Sequence, residues 1–341
     1  MSIQLSPLFR DHMVVPARKV IRVFGSGSPD GVIVSMNGQT AHAVGTSPLG
    51  CGVTWIAELP PMPYGGPYDL TVSCLGDVTV LHDVYVGEVV LLGGQSNMQF
   101  KMKESRVEDP KDFRGNSLLR LFTLDRIEDS DKYHTRDGWI VCEQADVGEW
   151  SAIGWHTGMN MIESLGCAVG LVACYQGASV IESWIPAGEC DSLYVPMEQR
   201  HIDHTYPVYV PWNGDGVLYE TLFRHLIPMS LSAVAWYQGE SDTTVAEAAV
   251  YTDELAVMIR RWRSDLRDPA LPFALIQIAD FEPRSDAGWW DLQAAQAKAA
   301  EIIPGTELVV IRDVCETFEI HPATKAGMSA RLADALIRLV R

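Results

Sequence analysis

The stretch "VVLLGGQSNMQF", residues 89–100, decides the fold. Four apolar residues run into Gly93 and Gly94, and a single serine, Ser96, follows between Gln95 and Asn97. A short apolar run closed by glycines reads as a buried strand that ends in a tight turn. A serine in that place is ordinarily a turn residue or a helix N-cap. To act as a nucleophile it needs a base and oxyanion donors from elsewhere in the chain.

Downstream of this strand the chain alternates. "AVGLVACYQG", "AVAWYQG", "FALIQIADF" and "ELVVIRDV" read as further buried strands. "TGMNMIESLG", "ETLFRHLIPMSL", "AEAAVYTDELAVMIRRWRSDL" and "WWDLQAAQAKAAEII" read as helices between them. "PATKAGMSARLADALIRLV" closes the chain as a helix with Pro322 in its first turn. Residues 101–150 read as polar, irregular excursions. This pattern predicts an α/β domain over residues 86–341, built on a doubly wound parallel sheet. Upstream, "VIRVFGSGSPDGVIVSMNGQTAHAV" alternates apolar and polar residues, with turns at Pro29-Asp30-Gly31 and Asn37-Gly38. Residues 1–85 are therefore expected to form a small all-β module, a sandwich or jelly roll.

The totals narrow the function. The 341 residues carry a formal net charge of −18 without a basic cluster, which argues against nucleic acid and anionic membranes as partners. The start shows neither a secretory leader nor a stretch long enough to span a bilayer. Seven cysteines, an odd number and widely spread, read as free thiols of a reducing compartment, so a cytoplasmic location is expected. No CxxC pair occurs, and the H-x-D-H run at His201–His204 reads as a surface loop, so no metal and no cofactor are expected. The oligomeric state is not legible.

In an open α/β sheet, ligands bind beyond the carboxyl ends of the strands. Those ends carry Gln95-Ser96-Asn97, then Gln176-Gly177-Ala178-Ser179, then Gln238-Gly239-Glu240, then Asp313 and Glu319-Ile320-His321. A serine, a glycine, an amide and a histidine on one edge are the parts of a serine hydrolase. Each alone has an ordinary structural reading; their joint placement in this order favours catalysis. Trp184 and Trp212 lie in loop-like sequence and can present a ring face to a sugar, although most of the tryptophans belong to core or scaffold. Glu240 and Asp242 sit in one turn, and nothing else supports a glycosidase pair.

The blocks "GGQSNM", "YQGASVIESWIP", "AVAWYQGESD" and "EIHPATKAG…RLADAL" together resemble the sialate O-acetylesterase group of the flavodoxin-like SGNH hydrolases. "LFRDHMVVPARKVIRVFGSG" and "LPPMPYGGPYDLTV" resemble its β-rich N-terminal part, so the likeness spans nearly the whole chain. The resemblance implies a carbohydrate O-acetylesterase with Ser96 as nucleophile and His321 as base. The backbone N–H groups of Ser96 and Gly177 and the Gln238 amide would form the oxyanion hole. Gln95 and Trp184 are assigned to substrate contact. Glu319 is the expected acidic partner of His321, with Glu240 and Asp313 as alternatives, or the pair works as a Ser–His dyad. An acidic partner would hold the His321 pKa at or above its ordinary ~6.5. Three departures stand out: relatives often read Gly-Gly where this chain has Gly177-Ala178, many SGNH enzymes place an Asp three residues before the histidine where this chain has Phe318, and relatives often carry a basic residue near Gln293. The glutamine at 293 weakens the case for an anionic substrate; sialate O-acetylesterase-like activity stands first, and acetylated neutral xylo-, manno- or gluco-oligosaccharides are the alternative. A non-catalytic carbohydrate-binding protein is the reading from another class.

Overall fold

The computed structural model describes residues 4–107, 113–124, 135–201 and 211–341. Nine strands come first: β1 (Gln4–Leu5), β2 (Val14–Pro16), β3 (Ile21–Ser26), β4 (Ile33–Met36), β5 (Gln39–His42), β6 (Val44–Leu49), β7 (Val53–Leu59), β8 (Gly65–Cys74) and β9 (Asp77–Gly94). β1, β3, β7 and β6 form a four-stranded sheet, while β4, β5 and β8 join the ladder that leads to β9. The alternation seen in the sequence places Val23, Phe24, Val34, Trp55 and Val72 in the core. All described elements before β9 are strands.

β9 joins the two parts of the chain. Its first half pairs antiparallel with β8, and Tyr85–Gly87 pair parallel with β2. Its second half, from Glu88, is the central strand of the parallel sheet. The expected boundary between residues 85 and 86 thus falls inside one unbroken strand of 18 residues.

The larger sheet runs β11 (Thr135–Cys142), β10 (Asn116–Leu124), β12 (Val169–Tyr175), β9, β13 (Ala233–Tyr237), β14 (Phe273–Ile276) and β15 (Thr306–Val309). Six of these strands are parallel; β11 is antiparallel to β10. The helices are the single turn α1 (Ser96–Gln99), then α2 (Ala152–Leu165), α3 (Val217–Thr221), α4 (Val245–Asp265), α5 (Ala287–Ile302) and α6 (Ala326–Val340). α2 packs on α6, and α4 on α5. Local chemistry sets their ends. Ser151 caps α2 and Gly166 closes it in the left-handed region. Thr244 and Glu247 form a capping box on α4, and Asp286 caps α5.

Three expectations fail here. The stretch 101–150 is not simply an excursion: it contributes β10 and β11, with Leu119, Leu121, Phe122 and Leu124 buried. Arg120 breaks the apolar run and hides the strand in the sequence, but its guanidinium is buried against Asp83 at 3.1 Å. "ETLFRHLIPMSL" yields only the short α3 and a 3₁₀ turn over Phe223–Leu226. The last helix begins at Ala326 rather than Pro322, which leaves His321 on an irregular segment. Among the described residues, no helix is long and apolar enough to cross a membrane.

Candidate active site

The site is anchored where β9 ends. Gly94 lies opposite Tyr175 on one side and Tyr237 on the other. The Gln176 N–H donates to the Gly94 carbonyl, and the Gln95 N–H donates to the Tyr237 carbonyl. Gly94 has φ +124°, and a Cβ there would lie 2.0 Å from the Tyr237 oxygen. Only glycine fits such a position. The chain then turns directly into α1, so Ser96 stands at the carboxyl end of the central strand with its N–H free of an intrahelical acceptor.

His321 reaches this serine from the segment between β15 and α6. The Ser96 Oγ and His321 Nε2 are 2.7 Å apart. With Nε2 unprotonated, the hydroxyl donates to the ring. The Phe100 ring flanks the imidazole at 6.1 Å between centroids. Desolvation pushes the His321 pKa below its ordinary value, and the positive charge of Lys325 adds to this. Glu104 and Glu319 act in the opposite direction. The net shift is downward, the reverse of what an acidic triad partner would produce.

None of the expected acidic partners holds the ring. Glu319 is exposed and makes no hydrogen bond to His321; it acts only through its charge. Glu240 is buried, and its Oε1 accepts from Asn97 Nδ2 at 2.7 Å. Asp313 is held by Arg331 at 2.6 and 2.8 Å, which draws its pKa down to about 2. Among the described residues Ser96 Oγ pairs with His321 Nε2, and no carboxylate is hydrogen-bonded to the ring.

Gly177 lies beside the serine: a Cβ on it would sit 3.6 Å from the Ser96 Cβ. Its N–H donates to Gln99 Oε1 at 3.1 Å, so a polar acceptor already occupies that donor. Ala178 follows with φ +52°, a left-handed conformation that glycine adopts more readily than alanine. Asn213 ties this loop down, donating to the Ala178 carbonyl at 2.7 Å and accepting from the Val180 N–H at 3.0 Å.

Gln238 does not fit the oxyanion role expected of it. Its Nε2 donates to the Ser179 carbonyl at 2.8 Å and to Asp242 Oδ2 at 2.5 Å, while its Oε1 accepts from Tyr251 at 2.7 Å. Both amide hydrogens are spent and the side chain is fully buried. It fastens the Gly177–Ser179 loop to the end of β13. Gln95 and Trp184 are also corrected. Gln95 is buried and its Oε1 accepts from the Gly239 N–H at 3.2 Å. Trp184 is fully buried, donates to Ser179 Oγ, and packs edge-on against Trp236 and Trp262. Neither side chain can touch a sugar. Gln293 is buried too, donating to the Ile278 carbonyl and Asp280, so its identity does not report on substrate charge.

Of the H-x-D-H run only His201 is among the described residues; its ring meets Arg284, and its pKa falls to about 4 through burial and that charge. Among the described residues, no three His, Cys, Asp or Glu side chains are arranged to hold a metal. Sequence reasoning overlooked Gln99, Asn213 and the bridging role of Asn97. Gln99 alone carried a signal, because residue i+3 shares a helix face with Ser96.

Known proteins resemble this chain in sequence and in fold. A family model described as "Carbohydrate esterase, sialic acid-specific acetylesterase" matches residues 86–338. Human sialate O-acetylesterase is 25% identical over 351 residues, covering 93% of this chain and 66% of the human protein. The rat enzyme is 24% identical over 375 residues, covering 93% of this chain and 69% of its own. The chain thus spans about two thirds of the length of these curated relatives. The crystal structure of a carbohydrate acetylesterase from Xanthomonas citri superposes with a TM-score of 0.83 at 28% identity, over 99% of this chain and 75% of that one. That superposition takes in the β-rich N-terminal residues as well as the parallel sheet.

Proposed function

This chain belongs to the sialic acid-specific acetylesterase family of carbohydrate esterases, and we propose that it removes O-acetyl groups from sugars with Ser96 as a covalent nucleophile. The 2.7 Å contact between Ser96 Oγ and His321 Nε2, beyond the carboxyl end of the central strand, carries this reading. His321 takes the serine proton as Oγ attacks the acetyl carbonyl. The oxyanion forms against the Gly177 and Ser96 N–H groups, and Gln99 Oε1 gives up its bond to Gly177 as it does so. Collapse breaks the ester bond, and the imidazolium returns the proton to the departing sugar oxygen. Water, deprotonated by His321, then attacks the acetyl-serine; as that intermediate collapses the imidazolium returns the proton to Ser96 Oγ and acetate leaves. Ser96→Ala removes the covalent route, and kcat on an acetylated sugar should fall roughly 10³-fold or more. A variant that keeps a tenth of the activity defeats the assignment.

Sialic acid esters are the first substrate class by family. Acetylated neutral oligosaccharides are a second reading, supported by the negative charges of Glu104 and Glu319 near His321. Both would repel a sugar carboxylate. A panel of O-acetyl sialic acids and acetylated xylo-oligosaccharides, with product positions read by NMR, separates the two classes.

A further inference from the structure

Lys325 lies 1% exposed at the start of α6, four residues beyond His321. Its Nζ donates to Asn97 Oδ1 at 2.7 Å and stands 4.8 Å over the Phe100 ring. Both neighbours belong to the Ser96 segment. The Asn97 amide is used at both ends: Nδ2 donates to Glu240 Oε1 at 2.7 Å and to the Ile320 carbonyl at 2.9 Å. One amide therefore joins the residue after the serine, the residue before the histidine, the end of β13 and the start of α6. The Lys325 main chain is fixed as well, since its carbonyl accepts from the N–H and Oγ of Ser329.

We propose that Lys325 is a positioning residue of the catalytic pair, its buried ammonium acting through Asn97 to lock the Ile320–His321 segment against Ser96 and setting a positive charge against the Ser96 segment. The proposal rests on the Ser96–His321 reading of the site. A buried ammonium is costly to desolvate, and a relayed carboxylate offsets this less well than a direct ion pair. Packing alone gives no reason for a lysine here, because a methionine would fill the space without a charge.

The charges around both groups fix the direction of the effect. His321 faces Lys325 from the start of α6, Glu104 from the segment after α1, and Glu319 on its own irregular segment. Lys325 faces Glu240, Cys315 and Glu316. Burial brings the Lys325 pKa down to about 8, so the ammonium is still charged where an imidazole titrates. A positive charge disfavours the imidazolium, and its removal therefore raises the His321 pKa.

The test follows the His321 ring resonances by NMR against pH in the wild type and in Lys325→Met, beside kcat/KM profiles of both. The variant's imidazole pKa should rise by about half a unit to one unit, with the acid limb of kcat/KM moving up equally. If Lys325→Met does not fold, Lys325→Met/Glu240→Gln leaves no unpaired buried charge and carries the same measurement. A folded variant with an unmoved imidazole pKa overturns the proposal, whatever its rate. The two readings fail separately: an active Ser96→Ala enzyme would remove the nucleophile, while the imidazole titration would still decide the role of Lys325.

Discussion

Ser96 and His321 meet at 2.7 Å, yet the segments that carry them are held in different ways. Ser96 is placed by backbone. β9 is paired on both sides to its last residue, and Gly94 lets the neighbouring carbonyl come close enough to fix the turn. His321 is placed by side chains. No ladder reaches it between Val309 and Ala326; the side chains of Glu316 and Asn97 tie its segment at Thr324 and at the Ile320 carbonyl, and the backbone adds only isolated bonds, among them those from the Glu282 N–H to the Thr317 carbonyl and from the Arg106 N–H to the Ala323 carbonyl. A backbone-built half fails all at once when the ladder is disturbed. A side-chain-built half loses precision one bond at a time, and it can be tuned by charge.

The contrast is tested most severely at Gly94. In Gly94→Ala the new Cβ meets the Tyr237 carbonyl, and a left-handed φ is forced on a residue that resists it. β9 and β13 must separate at the point where both deliver site residues. Stability should fall by about 2–4 kcal/mol, in the range of backbone strain combined with overpacking. Activity should fall at least as far as in a His321 variant. Urea titration and kcat measured together check this. A Gly94→Ala enzyme with wild-type midpoint and rate would mean that the serine half is not built on the strand ladder.

Gln238→Ala probes the support between the halves. Were Gln238 an oxyanion donor, kcat would drop about 10²-fold with little change in stability. As the strut between Ser179 and Asp242, its loss leaves Asp242 Oδ2 and the Ser179 carbonyl without the amide that joins them, while Tyr251 keeps its bond to the residue-238 carbonyl and Asp242 Oδ1 keeps the Ile181 N–H. Stability should then fall by about 1–3 kcal/mol, with kcat lowered by no more than about tenfold. Thermal melting beside steady-state kinetics distinguishes the two outcomes.

The same contrast explains what the sequence revealed. The strand ends were legible because "VVLLGG", "LVACY" and "AVAWY" are apolar runs stopped by glycine or amide residues, and these positions bring Ser96 and Gly177 together. His321 was legible through the block around it. What side chains do within the site was not. Gln238, Glu240 and Gln95 lie at strand ends as expected, but each points into a buried network that depends on residues far away in the chain. Trp184 looked loop-like because proline and glycine surround it, whereas a tertiary aromatic cluster buries it. β10 was missed because one buried arginine interrupts its pattern, and its partner Asp83 lies 37 residues earlier.

The smallest expected effect belongs to Glu319, the residue the sequence favoured as the acidic triad member. It touches His321 only through its charge, from an exposed position in water-like screening. A negative charge stabilises the imidazolium, so Glu319→Gln should lower the His321 pKa and move the acid limb of kcat/KM to lower pH. The wild-type limb should itself lie below the unperturbed histidine value of ~6.5, because desolvation and Lys325 prevail over the two glutamates. The shift from Glu319→Gln should be about 0.3 units or less, with kcat/KM above the limb within about twofold of wild type, as for other exposed charges. Glu104→Gln, which acts with the same sign on the same ring, should behave alike. A drop of about 10²-fold or more in Glu319→Gln alone would show that its carboxylate swings onto the imidazole during turnover, and would turn the dyad back into a triad.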